Sequence, residues 1–203
     1  MIPASAALDR LREGNSRFAS NSMVNQVGHG DRREQLTEGQ QPFAIILGCS
    51  DSRVPAEIVF DQGIGDLFVI RVAGNIAQPS QIGSVEFAAS KFGTRLVVVL
   101  GHSQCGAVGA AVEHLQGRAA SRNLDSIVDL IRPSVERLIA EDAGNDPENL
   151  VEQAVRANVR ASAERLRHGS EIIEQLEKDE GLVIVGAEYS LHTGIVDFFD
   201  SAI

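Results

Sequence analysis

Phe43-Ala44-Ile45-Ile46-Leu47-Gly48-Cys49-Ser50-Asp51-Ser52-Arg53-Val54-Pro55 begins as an unbroken apolar run. It then places a thiol, a carboxylate and a guanidinium at alternate positions. Its first five residues read as a buried strand. About fifty residues on, the pattern recurs: Leu96-Val97-Val98-Val99-Leu100 runs into Gly101-His102-Ser103-Gln104-Cys105-Gly106. Two strand exits therefore carry Cys49, Asp51, His102 and Cys105. Two soft thiolates, one imidazole and one carboxylate suit zinc.

Working outward, further apolar runs at residues 66–72 and 181–187 read as strands, with a last edge strand at 194–199. Helical spacing covers residues 5–20 (Ser5 as N-cap, with Leu8, Leu11 and Phe18 on one face), 79–92, 106–115, 151–166 and 171–178. Pro55 opens a short helix to residue 60, and Gly93 stops the helix before it. Residues 123–140 are amphipathic, and Pro133 is expected to kink or divide them. Residues 21–41 read as mostly loop, and the mixed charges of His29-Gly30-Asp31-Arg32-Arg33-Glu34 as a solvated face. Near-continuous apolar strands separated by helices predict an α/β fold, a central parallel sheet covered on both faces. Such sheets bind ligands beyond the carboxyl ends of their strands, where Cys49 and His102 fall.

The 203 residues predict a single domain, 1–203, with a sizeable core. Hydrophobic residues make up 43% of the chain, yet no apolar run approaches the roughly 18 residues of a membrane span. The opening Met1-Ile2-Pro3-Ala4-Ser5 lacks basic and apolar signal regions, so a cytoplasmic location is expected. A net charge of −10 argues against nucleic acid and anionic membrane as partners. The two cysteines, Cys49 and Cys105, offer either a disulfide or a metal site. Nothing indicates an oxidising compartment, and each follows a strand beside polar residues, which favours metal.

His102 and Cys105 are three residues apart, so both can face one ion. Asp51 has two readings. As a fourth ligand it closes the site; paired with Arg53, two residues on, it leaves a position for water. Closed sites are structural and open ones catalytic. Three clear ligands and a fourth with a competing partner favour a catalytic or switchable centre.

Cys49-Ser50-Asp51-Ser52-Arg53 followed by Gly101-His102-Ser103-Gln104-Cys105-Gly106 closely resembles the β-class carbonic anhydrases. The resemblance extends to residues 11–18, to Gly65-Asp66-Leu67-Phe68-Val69-Ile70-Arg71-Val72-Ala73-Gly74-Asn75, and to Gly186-Ala187-Glu188-Tyr189 and Thr193-Gly194. It implies Zn2+ held by Cys49, His102 and Cys105, with Asp51 and Arg53 as a dyad orienting the zinc-bound water or hydroxide. In related enzymes the residue matching Asp51 can swing onto zinc. The implied reaction is reversible hydration of carbon dioxide to bicarbonate by attack of that hydroxide. Gln40 matches a substrate-orienting glutamine, Phe68 and Phe87 an aromatic wall, and the Gly106 N–H a bicarbonate donor. Without the family, Gln40 reads as a loop surface residue and the two rings as core.

The same resemblance implies an antiparallel edge strand on the mostly parallel sheet. It also implies an N-terminal helical arm (1–40) packed on a partner subunit, and a homodimer or homotetramer in which Gln40 acts across subunits. Members with a regulatory bicarbonate site use a Trp there. This chain has none, although Arg71 and Tyr189 match other residues of that pocket. His29, His114, His168 and His192 are conceivable proton shuttles, and none is singled out. The alternatives are a carbon disulfide or carbonyl sulfide hydrolase on the same scaffold, and a non-catalytic zinc-stabilised module.

Overall fold

A computed structural model describes residues 2–25, 30–118, 121–141 and 147–199. Five strands form one sheet in the order β2-β1-β3-β4-β5. They are β1 (Ala44–Gly48), β2 (Leu67–Arg71), β3 (Leu96–His102), β4 (Val183–Tyr189) and β5 (Val196–Phe199). The first four are mutually parallel, and β5 runs antiparallel to β4. β1 and β3 are fully buried along their length, as their unbroken apolar sequences require.

Alternate residues of these strands feed opposite layers. Ala44, Ile46, Val98 and Val185 pack with α1 (Ala4–Ala19) and α3 (Ala56–Val59). Ile45, Leu47, Val97, Val99 and Ile184 pack with α4 (Pro79–Lys91), α7 (Pro147–His168) and α8 (Glu171–Asp179). A third cluster lies past the carboxyl edge. There α5 (Gly106–Leu115), α6 (Arg122–Glu141) and α7 enclose Cys49, Ile76 and Cys105.

Several elements differ from their reading in the sequence. α1 begins at Ala4 behind Pro3, with no side-chain cap, so Ser5 lies inside the helix. Residues 30–35 form α2 and 36–38 a 3-10 turn, where a loop was expected. That stretch has too few apolar residues for periodicity to reveal it; its one half-buried anchor, Leu36, lies over Gly65. α6 runs through Pro133 as one helix. Val128, Ile131 and Val135, on either side of the proline, are fully buried, so packing of both halves outweighs the lost hydrogen bond. α8 carries a side-chain cap: the Ser170 hydroxyl accepts from the N–H of Ile173.

α1 buries Ala7, Leu8 and Leu11 in its own chain's core. Asn15 ties its end to β5, accepting from the Val196 N–H at 2.8 Å and donating to the Gly194 carbonyl at 2.9 Å. Past α1, the backbone N–H groups of Val24 and Asn25 donate to Asp61 of the same chain.

Candidate metal centre

β1 ends at Gly48 and β3 at His102, so Cys49 and His102 leave the sheet side by side. Gln104, at φ +56°, turns the chain back, and Cys105 becomes the residue before α5. One ligand atom from each of Cys49, His102 and Cys105 lies within 4.8 Å of the others, and all three residues are buried. His102 Nδ1 lies 2.9 Å from the Ser103 carbonyl, the geometry of an N–H donated to that oxygen. This leaves the Nε2 lone pair facing the cysteines, and Nε2 is buried with no hydrogen-bond partner.

The electrostatics are those of a place that awaits a cation. The Cys105 thiol, aided by His102 and the N–H groups of Gly74 and Asp51, overcomes burial and pushes Cys49 well below the ordinary thiol range. Cys105 moves the other way, raised by Cys49 and by burial although the Ala107 and Val108 N–H groups face it. Burial disfavours a charged His102, but Cys49 outweighs it and raises the imidazole. A buried thiol pair sharing one proton beside an unpartnered imidazole nitrogen fits a thiophilic divalent metal, which takes both sulfurs as thiolates.

Asp51 does not point into this group. Arg53 donates to it through Nε at 2.9 Å, Nη2 at 2.8 Å and its backbone N–H at 2.9 Å. Arg53 thereby holds the carboxyl well below the ordinary carboxylate range. Asp51 Oδ2 stands 3.8 Å from His102 Nε2, beside the ligands.

Three further groups support the centre. The Gly74 N–H donates to Cys49 Sγ at 3.3 Å. Arg71 donates to the carbonyls of Cys49 and Asp51, at 2.9 and 2.6 Å, and holds the loop that carries both. Asn158, fully buried on α7, donates to the Gly74 carbonyl at 2.7 Å. Arg71 and Gly74 stand in a stretch that carries the resemblance, but the sequence shows no role behind Cys49 for either, and Asn158 carries no local signal at all.

Of the remaining expected site residues, Gln40, Phe68 and Phe87 are not brought to Cys49 within one chain. Gln40 is exposed and lies before the amino end of β1, a strand about 17 Å long, whereas Cys49 follows its other end. Phe68 pairs with Ile45, near that same amino end. Its ring meets Phe87 at 6.2 Å and Phe92 at 6.0 Å, and Phe87 is 53% exposed. Gly106 opens α5 directly beside Cys105. Of the histidines, His114 approaches Arg132 and His168 approaches Glu164 and Glu174; His29 lies outside the described residues.

Fold and centre together define a class: an open α/β sheet with a two-cysteine, one-histidine metal group at the carboxyl edge of its adjoining central strands. The carbonic anhydrase family model matches residues 44–196, and the chain belongs to that family. It is 37% identical to a carbonic anhydrase of Mycolicibacterium smegmatis, over 95% of this chain and 91% of that protein. It is also 37% identical to carbonic anhydrase 2 of Mycobacterium tuberculosis, over 93% and 89%. Its fold is similar to the crystal structure of the β-carbonic anhydrase CafA of Aspergillus fumigatus: TM-score 0.78, 27% identity, 98% of this chain and 91% of that one.

Proposed function

We propose that the protein catalyses the reversible hydration of carbon dioxide to bicarbonate and a proton, with zinc held by Cys49, His102 and Cys105. The observation that carries this is the convergence of those three ligand atoms within 4.8 Å. Asp51 beside them is turned to Arg53, which speaks for an open centre over a closed structural one. Zinc bound there would supply a nucleophile from water near neutral pH. Asp51, fixed by two guanidinium bonds, accepts a hydrogen bond from the reacting water and aims its lone pair at carbon dioxide. The Gly106 N–H, at the first turn of α5 where backbone donors lack helical partners, holds an oxygen of bicarbonate.

Gln40, Phe68 and Phe87 serve this site from a partner subunit in a homodimer or homotetramer. Their distance from Cys49 in their own chain and the exposure of Phe87 support that reading. No helix among the described residues is long and apolar enough to cross a membrane. Both cysteines are free, which suits metal binding in a reducing compartment, and we place the protein in the cytoplasm. Stopped-flow hydration of carbon dioxide, on protein of assayed zinc content, tests the proposal. Zinc-loaded protein that hydrates carbon dioxide no faster than buffer would overturn it.

A further inference from the structure

Asn158 is an expensive residue to bury. It is fully inside the seam of α7 with the sheet, and its Oδ1 has no hydrogen-bond partner among the described residues. For stability alone an apolar side chain would serve better there, because an unpaired buried amide oxygen keeps its desolvation penalty. Its one hydrogen bond goes to the Gly74 carbonyl, 84 positions away in sequence. Gly74 is in turn the residue whose N–H meets Cys49 Sγ.

Gly74 is clamped from three helices. It takes a left-handed φ of +72°, and a Cβ there would lie 2.9 Å from Ile131 Cδ1 of α6 and 3.2 Å from Ala107 Cβ of α5. Asn158 of α7 supplies the third, polar contact. Apolar packing sets where Gly74 sits but hardly how its peptide planes are turned; Asn158, with the Asn75 N–H bonded to the Val72 carbonyl at 3.0 Å, holds the Gly74–Asn75 peptide group. The preceding peptide group, joined to it at the Gly74 Cα, carries the N–H that points at sulfur, so fixing the one limits the turn of the other. A hydrogen bond to a metal-bound thiolate lowers its electron density and fixes its direction.

We infer that Asn158 is a positioning residue for the Cys49 thiolate, acting through the peptide groups of Gly74. The inference rests on Cys49 being a metal ligand, as proposed above. The experiment uses the full-length protein loaded with cobalt(II), whose thiolate-to-metal absorption reports the sulfur directly, and zinc affinity by competition with a chromogenic chelator. In Asn158→Ala the absorption should move to longer wavelength, because a sulfur that loses its N–H donor gives up charge more readily. The zinc dissociation constant should rise about tenfold or more. Leu166→Ala, two turns along the same helix in the layer away from the cysteines, should lower the melting temperature without moving the band. Should Asn158→Ala fail to fold, Asn158→Val fills the space, lacks the donor and carries the same expectation. An unchanged band and affinity in a folded Asn158 variant overturn the role of Asn158 while leaving the metal centre standing. A band that moves equally in Leu166→Ala also overturns it. Wild-type protein that binds cobalt without thiolate absorption would overturn the centre itself, and the inference with it.

Discussion

Asp51 is the residue on which the character of the centre turns. It has two possible partners, and Arg53 holds it with three hydrogen bonds. Arg53→Ala should free it to reach the metal and close the open position. Hydration should then fall by about 10²-fold, the scale of one lost preorganised contact, with zinc content unchanged. A fully active Arg53→Ala protein would remove the dyad from the mechanism. Cys105→Ala takes away one of three ligands and should lose both zinc and activity, as metal analysis beside the assay would show. Thiolates at Cys49 and Cys105 cancel the charge of a divalent metal, so bound water is acidified less than in a three-imidazole site. Hydration should therefore rise from neutral into mildly alkaline pH, and a profile flat through the acid side would contradict this. Far from the centre, Asp61 is buried yet held below the ordinary carboxylate range. Burial opposes this, and Arg17 with the Asn25 and Val24 N–H groups outweighs it. A depressed carboxylate stabilises the fold fully above its unfolded pKa of about 3.9, and that contribution is lost as pH falls on through its lowered folded pKa. Melting temperatures across that acid range should fall more steeply for wild type than for Asp61→Asn.

At the scale of elements, α7 joins the sheet to the centre. Val159 of this helix covers the glycines of the two strands beside it. A Cβ at Gly101 would come 2.6 Å from Val159 Cγ2, and one at Gly186 3.1 Å from Val159 Cγ1. Gly101→Ala should therefore cost about 1–3 kcal/mol by overpacking, read as a lowered melting temperature. Because Gly101 precedes His102, zinc affinity should fall as well; unaltered stability would mean that α7 gives way easily. Periodicity located α7, but Gly101 and Gly186 lie 58 and 27 positions from Val159 in the chain, beyond any local pattern. The helix at 30–35 escaped the sequence because it has too few apolar residues to show a period, and the amphipathic helix read at 123–140 stays undivided at Pro133 because buried contacts hold both halves.

At the scale of the molecule, one chain holds the metal group at one edge of the sheet and the aromatic trio of Phe68, Phe87 and Phe92 near the other end of β1 and β2. If a partner's rings complete the pocket, Phe87→Asp should keep zinc while depressing hydration and weakening association. Sedimentation and activity measured across a dilution series would show this, and unchanged values in both would return Phe87 to the solvent-facing surface. A metal held by Cys49, His102 and Cys105 would also fasten the ends of β1 and β3. Removing it with a chelator should lower the melting temperature, and adding zinc back should restore it. Equal melting of apo and loaded protein would mean that the centre is preformed by packing alone.

What the sequence determined by itself was whatever is written locally. Each apolar strand lies within a few residues of the thiol, imidazole or carboxylate at its own exit, and Asp51 lies two residues from Arg53, so strand period and ligand chemistry suffice to read them. Resemblance of the motifs added the family. Tertiary structure alone decided which elements meet. It placed Asp51 on Arg53, brought Gly74 and Asn158 behind Cys49, and left Gln40 and Phe87 far from the centre of their own chain. Those outcomes depend on the register of distant strands and on side-chain directions in packed layers. Neither is encoded in any short window of residues.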